Sequence, residues 1–192
     1  DVPTMGETGF GALAAPGAPC GDADADGLTD AWEDLALDRL RPVERFDEAE
    51  SLLTDPTGVA GDIGRVAPVA GGGAVVIVVL AYSKDYGSCG VSGHDGDPER
   101  VALHVVALDG GGPGDVVVAD AYTAAHEGTL ADHGRLFSGA DLAQLVHEPL
   151  APDGEPRWVV YPSADKHATY ATIAICDGIS PIPCLSESCA PH

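Results

Sequence analysis

The sequence predicts a mainly β protein of the β-sandwich type, jelly-roll-like, with one or two short helices. Glycine and proline number 25 and 15 of 192 residues, a composition that favours strands and turns over long helices. Apolar residues make up 45% of the chain, enough for one sizeable core at this length. Short apolar runs rich in β-branched residues, bounded by Gly, Pro and Asp, supply the expected strands.

The charge balance is strongly acidic. Lys and Arg total 9 against 31 Asp and Glu, a formal net charge of −22. Such a chain repels nucleic acid and anionic membrane surfaces and attracts cations, so no nucleic-acid partner is expected. The longest apolar run, Ala74–Tyr82, is too short to cross a bilayer, and no transmembrane segment is predicted.

The cysteines predict an oxidising compartment. They are Cys20, Cys89, Cys176, Cys184 and Cys189, and no two of them form a Cys-x-x-Cys pair, which argues against a zinc ribbon. Three lie in a tail with little core-forming character, so we expect four paired cysteines and at least one disulfide within that tail. The odd count leaves one thiol over. The protein is therefore expected to be secreted or at the cell surface.

The chain divides into four predicted segments. Residues 1–19 form an extended Gly/Ala/Pro-rich arm, and residues 20–40 carry an acidic loop followed by a helix. Residues 41–175 form the β-sandwich domain, and residues 176–192 form a cysteine-bearing tail. The arm or the tail could dock on a neighbouring copy, which leaves self-association open.

The acidic loop fits the twelve-residue EF-hand calcium pattern, Asp-x-Asp-x-Asp-Gly, five further residues and then Glu. Ala-Pro-Gly lies shortly upstream in place of an entering helix, so the pattern predicts a half-EF-hand with a structural Ca²⁺ rather than a sensor. The alternative is an acidic helix N-terminus favoured by the helix dipole. The predicted ligands are the side chains of Asp22, Asp24, Asp26, Asp30 and Glu33 and the backbone carbonyl of Leu28.

The first elements after the loop follow from apolar spacing. Helical spacing of apolar residues predicts a helix over Thr29–Leu40, ended by Pro42. Val43–Phe46 is a candidate short strand. Asp47–Glu50 is predicted to be an acidic turn on the solvated surface.

The middle of the chain predicts the main sheet. Arg65–Val69 is a candidate edge strand, and Ala74–Tyr82 is predicted to be a central strand buried on both faces. Val101–Leu108 and Asp115–Thr123 should form a hairpin. Gly71–Gly73 lacks the spacing and the helix of a phosphate-binding loop, so a nucleotide site is rejected.

The last third predicts a short helix over Asp141–Glu148 and strands over Arg157–Tyr161 and Ala171–Cys176. Two His-containing dipeptides, His126–Glu127 and Asp132–His133, are predicted to be surface residues rather than ligands, because such pairs are common.

The central motif is Gly93–Arg100, which places His94, Asp97 and Glu99 just before an apolar run. If a strand begins here, Asp97 and Glu99 share one face because side chains alternate along a strand. Two carboxylates and an imidazole suit a divalent cation such as Ca²⁺, Mg²⁺ or Mn²⁺, and they equally suit acid–base chemistry. The alternative is an acidic turn of separately solvated residues.

Three segments resemble the vacuolar protein sorting sixty-two-like family. They are Leu35–Ala36 followed by Arg41–Phe46, then His94–Glu99, then Ser163 with His167–Tyr170, in an order that covers residues 35–175. The central motif is also similar to that of the necrosis-inducing (necrosis-and-ethylene-inducing peptide-like) proteins. The resemblance implies a β-sandwich that holds a divalent metal at this motif.

By the same resemblance, the ligands at the central motif would be His94, Asp97 and Glu99, joined by Asp85 and by His167 from another strand. Two adjacent carboxylates also repel each other unless a cation or an imidazolium lies between them. We therefore expect His167, at the start of a strand beside the one that begins at Glu99, to converge on this motif.

The chain departs from the resembled motif at two positions. Pro98 stands where the family usually has Trp, and Gly96 replaces a second His of the necrosis-inducing motif. Both departures, together with the acidic surface, argue against membrane lysis.

Three functions remain open at this point. The favoured one is a secreted, calcium-binding β-sandwich protein in extracellular recognition or surface assembly, with Ca²⁺ and a second divalent cation as cofactors and a glycan among the ligands left open. The second is a metal-dependent hydrolase that uses His94, Asp97, Glu99 and His167. The third is a structural subunit of an extracellular polymer. No Gly-x-Ser-x-Gly motif supports a serine-triad enzyme.

Overall fold

The computed structural model describes residues 21–70, 72–87, 91, 93–107, 116–129, 132–149, 156–177 and 186–190. The predicted N-terminal arm and Cys20, Cys89 and Cys184 lie outside these residues. The helices are α1 (Asp30–Leu40) and α2 (Ile173–Cys176), with 3-10 helices at Ser51–Leu53 and Gly139–Gln144. The strands are β1 (Val43–Glu44), β2 (Ala60–Pro68), β3 (Ala74–Asp85), β4 (His94–Ala107), β5 (Val116–Thr123), β6 (Arg135–Ser138), β7 (His147–Pro149), β8 (Pro156–Pro162) and β9 (Thr169–Tyr170).

The larger sheet is an antiparallel meander of five strands in the order β2-β3-β4-β5-β6. The predicted mainly β class and the β4–β5 hairpin are confirmed, and the predicted edge strand is part of β2. The jelly-roll-like strand order is not found in this sheet, because strands adjacent in sequence are also adjacent in space. Connections between sequential antiparallel strands can be short, so a meander needs no long crossover.

Strand β3 corrects one prediction. Its side chains alternate between buried and half-buried along the whole strand rather than being buried on both faces. Val76, Val78 and Leu80 point into the core, while Val79 belongs to the opposite, half-buried face. An apolar run alone does not distinguish the two cases, since β-branched residues also suit a half-buried face.

The smaller sheet has the strand order β1-β8-β7, with β9 also paired to β8. Its β1–β8 pair is parallel, and the pairs of β8 with β7 and β9 are antiparallel. The predicted strand over Ala171–Cys176 is wrong, because Ile173–Cys176 is a short helix. The Thr172 side chain caps that helix by accepting a hydrogen bond from the backbone N–H of Ile175.

Helix α1 and both sheets share one core. The inward residues of β3, β4 and β5 belong to the same buried cluster as Trp158 and Val160 of β8 and as Trp32, Ala36 and Leu40 of α1. Helix α1 begins one residue later than predicted and buries the expected stripe, with Leu35 half-buried. Within the described ranges, no helix has the length and apolarity that a membrane crossing requires.

The C-terminal tail is fixed to the domain by one disulfide and one carboxylate. Cys176 and Cys189 form a disulfide, which confirms the prediction of a pair within the tail. Asp47 accepts hydrogen bonds from the Ser188 hydroxyl (2.6 Å) and the Ala190 N–H (2.8 Å). Asp47 is buried, as is Glu50, so the prediction that Asp47–Glu50 lies on the solvated surface is wrong at both ends of the segment.

Candidate cation sites

The acidic loop gathers three carboxylates around one point. One side-chain oxygen from each of Asp22, Asp24 and Asp26 lies within 4.8 Å of the others, and no other set of three His, Cys, Asp or Glu side chains in the described residues does so. Gly27 has a φ of 98°, which lets the chain turn sharply at the position where the EF-hand pattern requires glycine. Leu28 is buried in the core and anchors the loop.

Hydrogen bonds within the loop occupy only some of its carboxylate oxygens. Asp22 accepts from the N–H groups of Asp26 (3.2 Å) and Gly27 (3.1 Å), and Asp30 accepts from that of Ala23 (2.9 Å). One oxygen of Asp26 accepts from the Leu28 N–H (2.9 Å). The other oxygen of Asp26 is buried without a hydrogen-bond partner. A buried carboxylate oxygen without a donor is costly unless a cation binds it.

Glu33 lies at the far end of the same loop, at the start of α1. Burial raises its pKa, and the charges of Asp26, Asp24, Asp30 and Asp22 raise it further. The five carboxylates of the pattern therefore act on one another electrostatically, which a bound cation would relieve.

The central motif lies inside strand β4, which begins at His94. Asp97 and Glu99 both point to the buried face, at 9% and 8% exposure, as the alternation of a strand predicts. His94 is exposed, and its Nε2 lies 3.5 Å from Oδ2 of Asp85, its partner in the β3–β4 register. Glycine at position 96 has a φ of 77° and allows the β3–β4 pairing to continue past it.

His167 meets Asp97 in the protein interior. Its Nδ1 lies 3.0 Å from Oδ2 of Asp97, and its Nε2 lies 3.3 Å from Oε1 of Glu50. His167 precedes β9 in a turn with a φ of 57°, and β9 pairs with β8. The prediction that His167 begins a strand beside β4 is therefore wrong, although the histidine does reach the motif.

The surroundings of His167 favour its charged form. Burial lowers its pKa, but hydrogen bonds to Asp97 and Glu50 outweigh burial and raise the pKa to about 9. The ring also stacks on Tyr82, with centroids 4.2 Å apart. Both ring nitrogens face carboxylates, so in this arrangement His167 is an imidazolium between two acids and not a group with a free lone pair for a metal.

Glu50 was missed by sequence reasoning. Besides His167, its carboxylate accepts the backbone N–H groups of Leu52 (2.7 Å) and Asp165 (2.8 Å). An acidic run gives no sign of burial, and the partner histidine lies 117 residues later in the chain. Only the tertiary fold reveals this contact.

Four of the predicted residues line one open cleft of about 710 Å³. They are Asp85, His94, Asp97 and Glu99. Their potential ligand atoms do not meet within 4.8 Å in groups of three, in contrast to the loop aspartates. The structure thus brings these residues to one cleft but does not gather them around one point.

Glu99 is the most perturbed carboxyl group of the cleft. Burial raises its pKa to about 8, with further contributions from the charges of Asp97, Glu187 and Glu127. Burial also raises the pKa of Asp85. Within the part of the chain that the structure describes, no hydrogen-bond donor or cation is paired with Glu99.

His126 and Glu187 form a half-buried pair that sequence reasoning missed. His126 Nε2 is hydrogen-bonded to Glu187, and the Tyr170 hydroxyl donates to the same carboxylate at 2.7 Å. His126 lines the cleft with a side chain that is 22% exposed, which corrects its predicted place on the open surface. The remaining dipeptide residues differ: Glu127 pairs with Arg100, and His133 is exposed.

Comparison of the chain with known protein families, with curated proteins and with solved structures finds no match. The resemblance to the vacuolar protein sorting sixty-two-like family therefore stays a prediction that rests on its three short motifs. Function is therefore inferred from the geometry of the loop and of the cleft.

Proposed function

We propose that this protein is a secreted, calcium-binding β-sandwich protein that acts in extracellular recognition or surface assembly. The observation that carries the proposal is the buried oxygen of Asp26, which lacks a donor within a cluster of three aspartates. Calcium takes six to eight oxygen ligands at about 2.3–2.6 Å, and the loop offers carboxylates and a backbone carbonyl at the positions that the EF-hand pattern uses.

The calcium is structural in this proposal. The loop continues directly into α1, and Leu28 and Trp32 place this junction in the main core. A cation that neutralises the loop would therefore stabilise the contact of α1 with the sheets rather than signal a change. The shared core of the two sheets supports the β-sandwich architecture.

Two further features support an extracellular location. The buried Cys176–Cys189 disulfide is typical of proteins from oxidising compartments. The net charge of −22 suits a protein that meets cations rather than nucleic acid.

A metal-dependent hydrolase is the second candidate, and the cleft is the observation that favours it. Glu99, with a pKa of about 8, would be protonated at neutral pH and could donate a proton to a leaving group. A second divalent cation beside Asp85, His94, Asp97 and Glu99 is part of this candidate. The wider spacing of these groups makes the recognition proposal the better supported of the two.

Calcium binding is tested on the full chain after removal of bound ions. Titration calorimetry should give one Ca²⁺ site per chain, and saturating Ca²⁺ should raise the melting temperature by about 5–10 °C. Asp24→Asn should abolish both effects, because Asp24 is exposed and belongs to the carboxylate cluster. Asp38→Asn, an equal charge change at an exposed position of α1, is the matched control. A melt insensitive to Ca²⁺ and to chelator would refute the proposal.

A further inference from the structure

The cleft contains an acidic group that the protein itself leaves without a partner. Glu99 is more than nine-tenths buried, lines the cleft, and has no donor or cation partner among the described residues. The Arg and Lys side chains that line the cleft are engaged elsewhere, Arg100 with Glu127 and Lys166 with Glu187. The two lining histidines, His94 and His126, face Asp85 and Glu187. The cleft therefore holds a buried carboxyl group whose ionised form has no hydrogen-bonded or salt-bridged partner among the described residues, and a cation from outside the chain would stabilise that form.

The size of the cleft and the spacing of its carboxyl groups indicate what kind of cation would fit. The cleft has a volume of about 710 Å³, much larger than a single ion needs, and its carboxylates do not converge as those of the calcium loop do. Val79, Pro98 and Ala124 add apolar surface to the lining. An acidic site beside an apolar wall matches a positive head group on an aliphatic stem, the arrangement found in a lysine side chain.

We propose that the cleft binds a primary alkylammonium group, as presented by a lysine side chain of a partner protein, with the ammonium at Glu99 and the methylene stem against the apolar part of the cleft lining. The ammonium would donate hydrogen bonds to Glu99 and to the neighbouring carboxylate of Asp97, which His167 engages through Oδ2. This inference rests on the proposed recognition function and names its ligand.

The test uses the calcium-loaded full chain and Nα-acetyl-lysine N-methylamide as the probe. Two-dimensional NMR titration should show saturable shifts confined to the cleft, with a dissociation constant on the order of 1 mM for so small a ligand. The Nε-acetylated probe and the norleucine analogue lack the charge and should bind at least about tenfold more weakly. Equal binding of these neutral probes would overturn the proposal.

Two variants distinguish binding in the cleft from attraction to the acidic surface in general. Glu99→Gln should weaken binding of the lysine probe by about tenfold or more, since the amide keeps the shape but cannot ionise to pair with the ammonium. Asp141→Asn, an exposed position outside the cleft, should leave binding unchanged. Glu99→Gln should fold, because a neutral amide replaces a carboxylate that burial already disfavours. Binding unaffected by Glu99→Gln would refute the assignment.

A final set of measurements distinguishes failure of this inference from failure of the proposed function, and lysine binding from metal binding. Mg²⁺, Mn²⁺ or additional Ca²⁺ that binds in the cleft and excludes the lysine probe would overturn the inference in favour of a divalent ion. Asp24→Asn disables only the calcium loop. Normal calcium stabilisation without probe binding would reject the inference alone, whereas probe binding without calcium stabilisation would reject the calcium proposal alone.

Discussion

The Nδ1 atom of His167 lies 3.0 Å from Oδ2 of Asp97, a residue 70 positions earlier in the chain, and both side chains are buried. Glu50 completes the contact on the opposite ring nitrogen. A charged histidine thus joins the 3-10 segment after β1, strand β4 and the turn before β9. Because each partner neutralises the others in the interior, the three groups should respond as a unit to changes of pH or sequence.

The first prediction concerns alkaline pH. The pKa of His167 is raised from 6.5 to about 9 in the folded chain, so its stabilisation is complete below pH 6.5 and is lost as pH rises through 9. We expect the free energy of unfolding to fall by up to about 3 kcal/mol over this range. Urea denaturation at pH 6 to 10 measures it. His167→Gln should flatten the profile, and the exposed control His133→Gln should not.

The second prediction concerns Glu50. Glu50→Gln removes one of two carboxylates that face a buried imidazolium, and we expect a loss of about 3 kcal/mol at pH 7. Asp38→Asn, an equal charge change at an exposed position of α1, should change stability by less than about 0.5 kcal/mol. Denaturant melts of both variants provide the comparison. Equal stability of the two variants would mean that the buried triad contributes nothing.

The third prediction concerns Glu99. Its folded pKa of about 8 exceeds the ordinary value of 4.5, so the group favours folding when protonated and stability falls as pH rises from 4.5 to 8. Glu99→Gln removes this loss and should raise the melting temperature at pH 9 more than at pH 5. If Glu99→Gln instead lowers the melting temperature by the same amount at pH 5 and at pH 9, the Glu99 carboxylate has favourable partners in the native protein.

The fourth prediction concerns the tail. The Cys176–Cys189 disulfide closes a loop of 13 residues, for which we expect a contribution of about 3 kcal/mol to the free energy of unfolding. The double variant Cys176→Ser with Cys189→Ser should show this loss in denaturant melts without leaving either partner of the pair as a free thiol. Mass spectrometry after alkylation without reductant checks the pairing. Modification of both cysteines in the folded native chain would contradict it.

Local pattern was enough to predict much of the fold. The apolar stripe of α1, the β4–β5 hairpin and the shared face of Asp97 and Glu99 all follow from periodicities of 3.6 and 2. The prediction of a strand over residues 171–176 was wrong because Thr and Ile are typical of strands. In the structure, Thr172 caps a short helix that ends at the disulfide-bonded Cys176. Composition of a short run does not carry that information.

The site residues were harder to predict for a different reason. Glu50 and Glu187 are buried by segments distant in sequence, and neither belongs to a motif with a required spacing. His126 lies in the cleft wall, where it contacts Glu187 of the tail, 61 residues later in the chain. In a sequence with many Asp and Glu residues, no local pattern distinguishes the carboxylates that have partners from those that do not. Only tertiary contacts make that distinction.

The parallel pairing of β1 with β8 has a consequence for the order of folding. Every neighbouring pair in the five-stranded meander is also adjacent in sequence, so that sheet can grow by successive hairpins with short loop closures. Val43 must instead find Val159, across the whole of the meander. We expect this pairing to form late in refolding, with the His167 triad assembled in the same slow phase. Pulse-labelled hydrogen exchange would then show amides of β3 and β4 protected before those of β8.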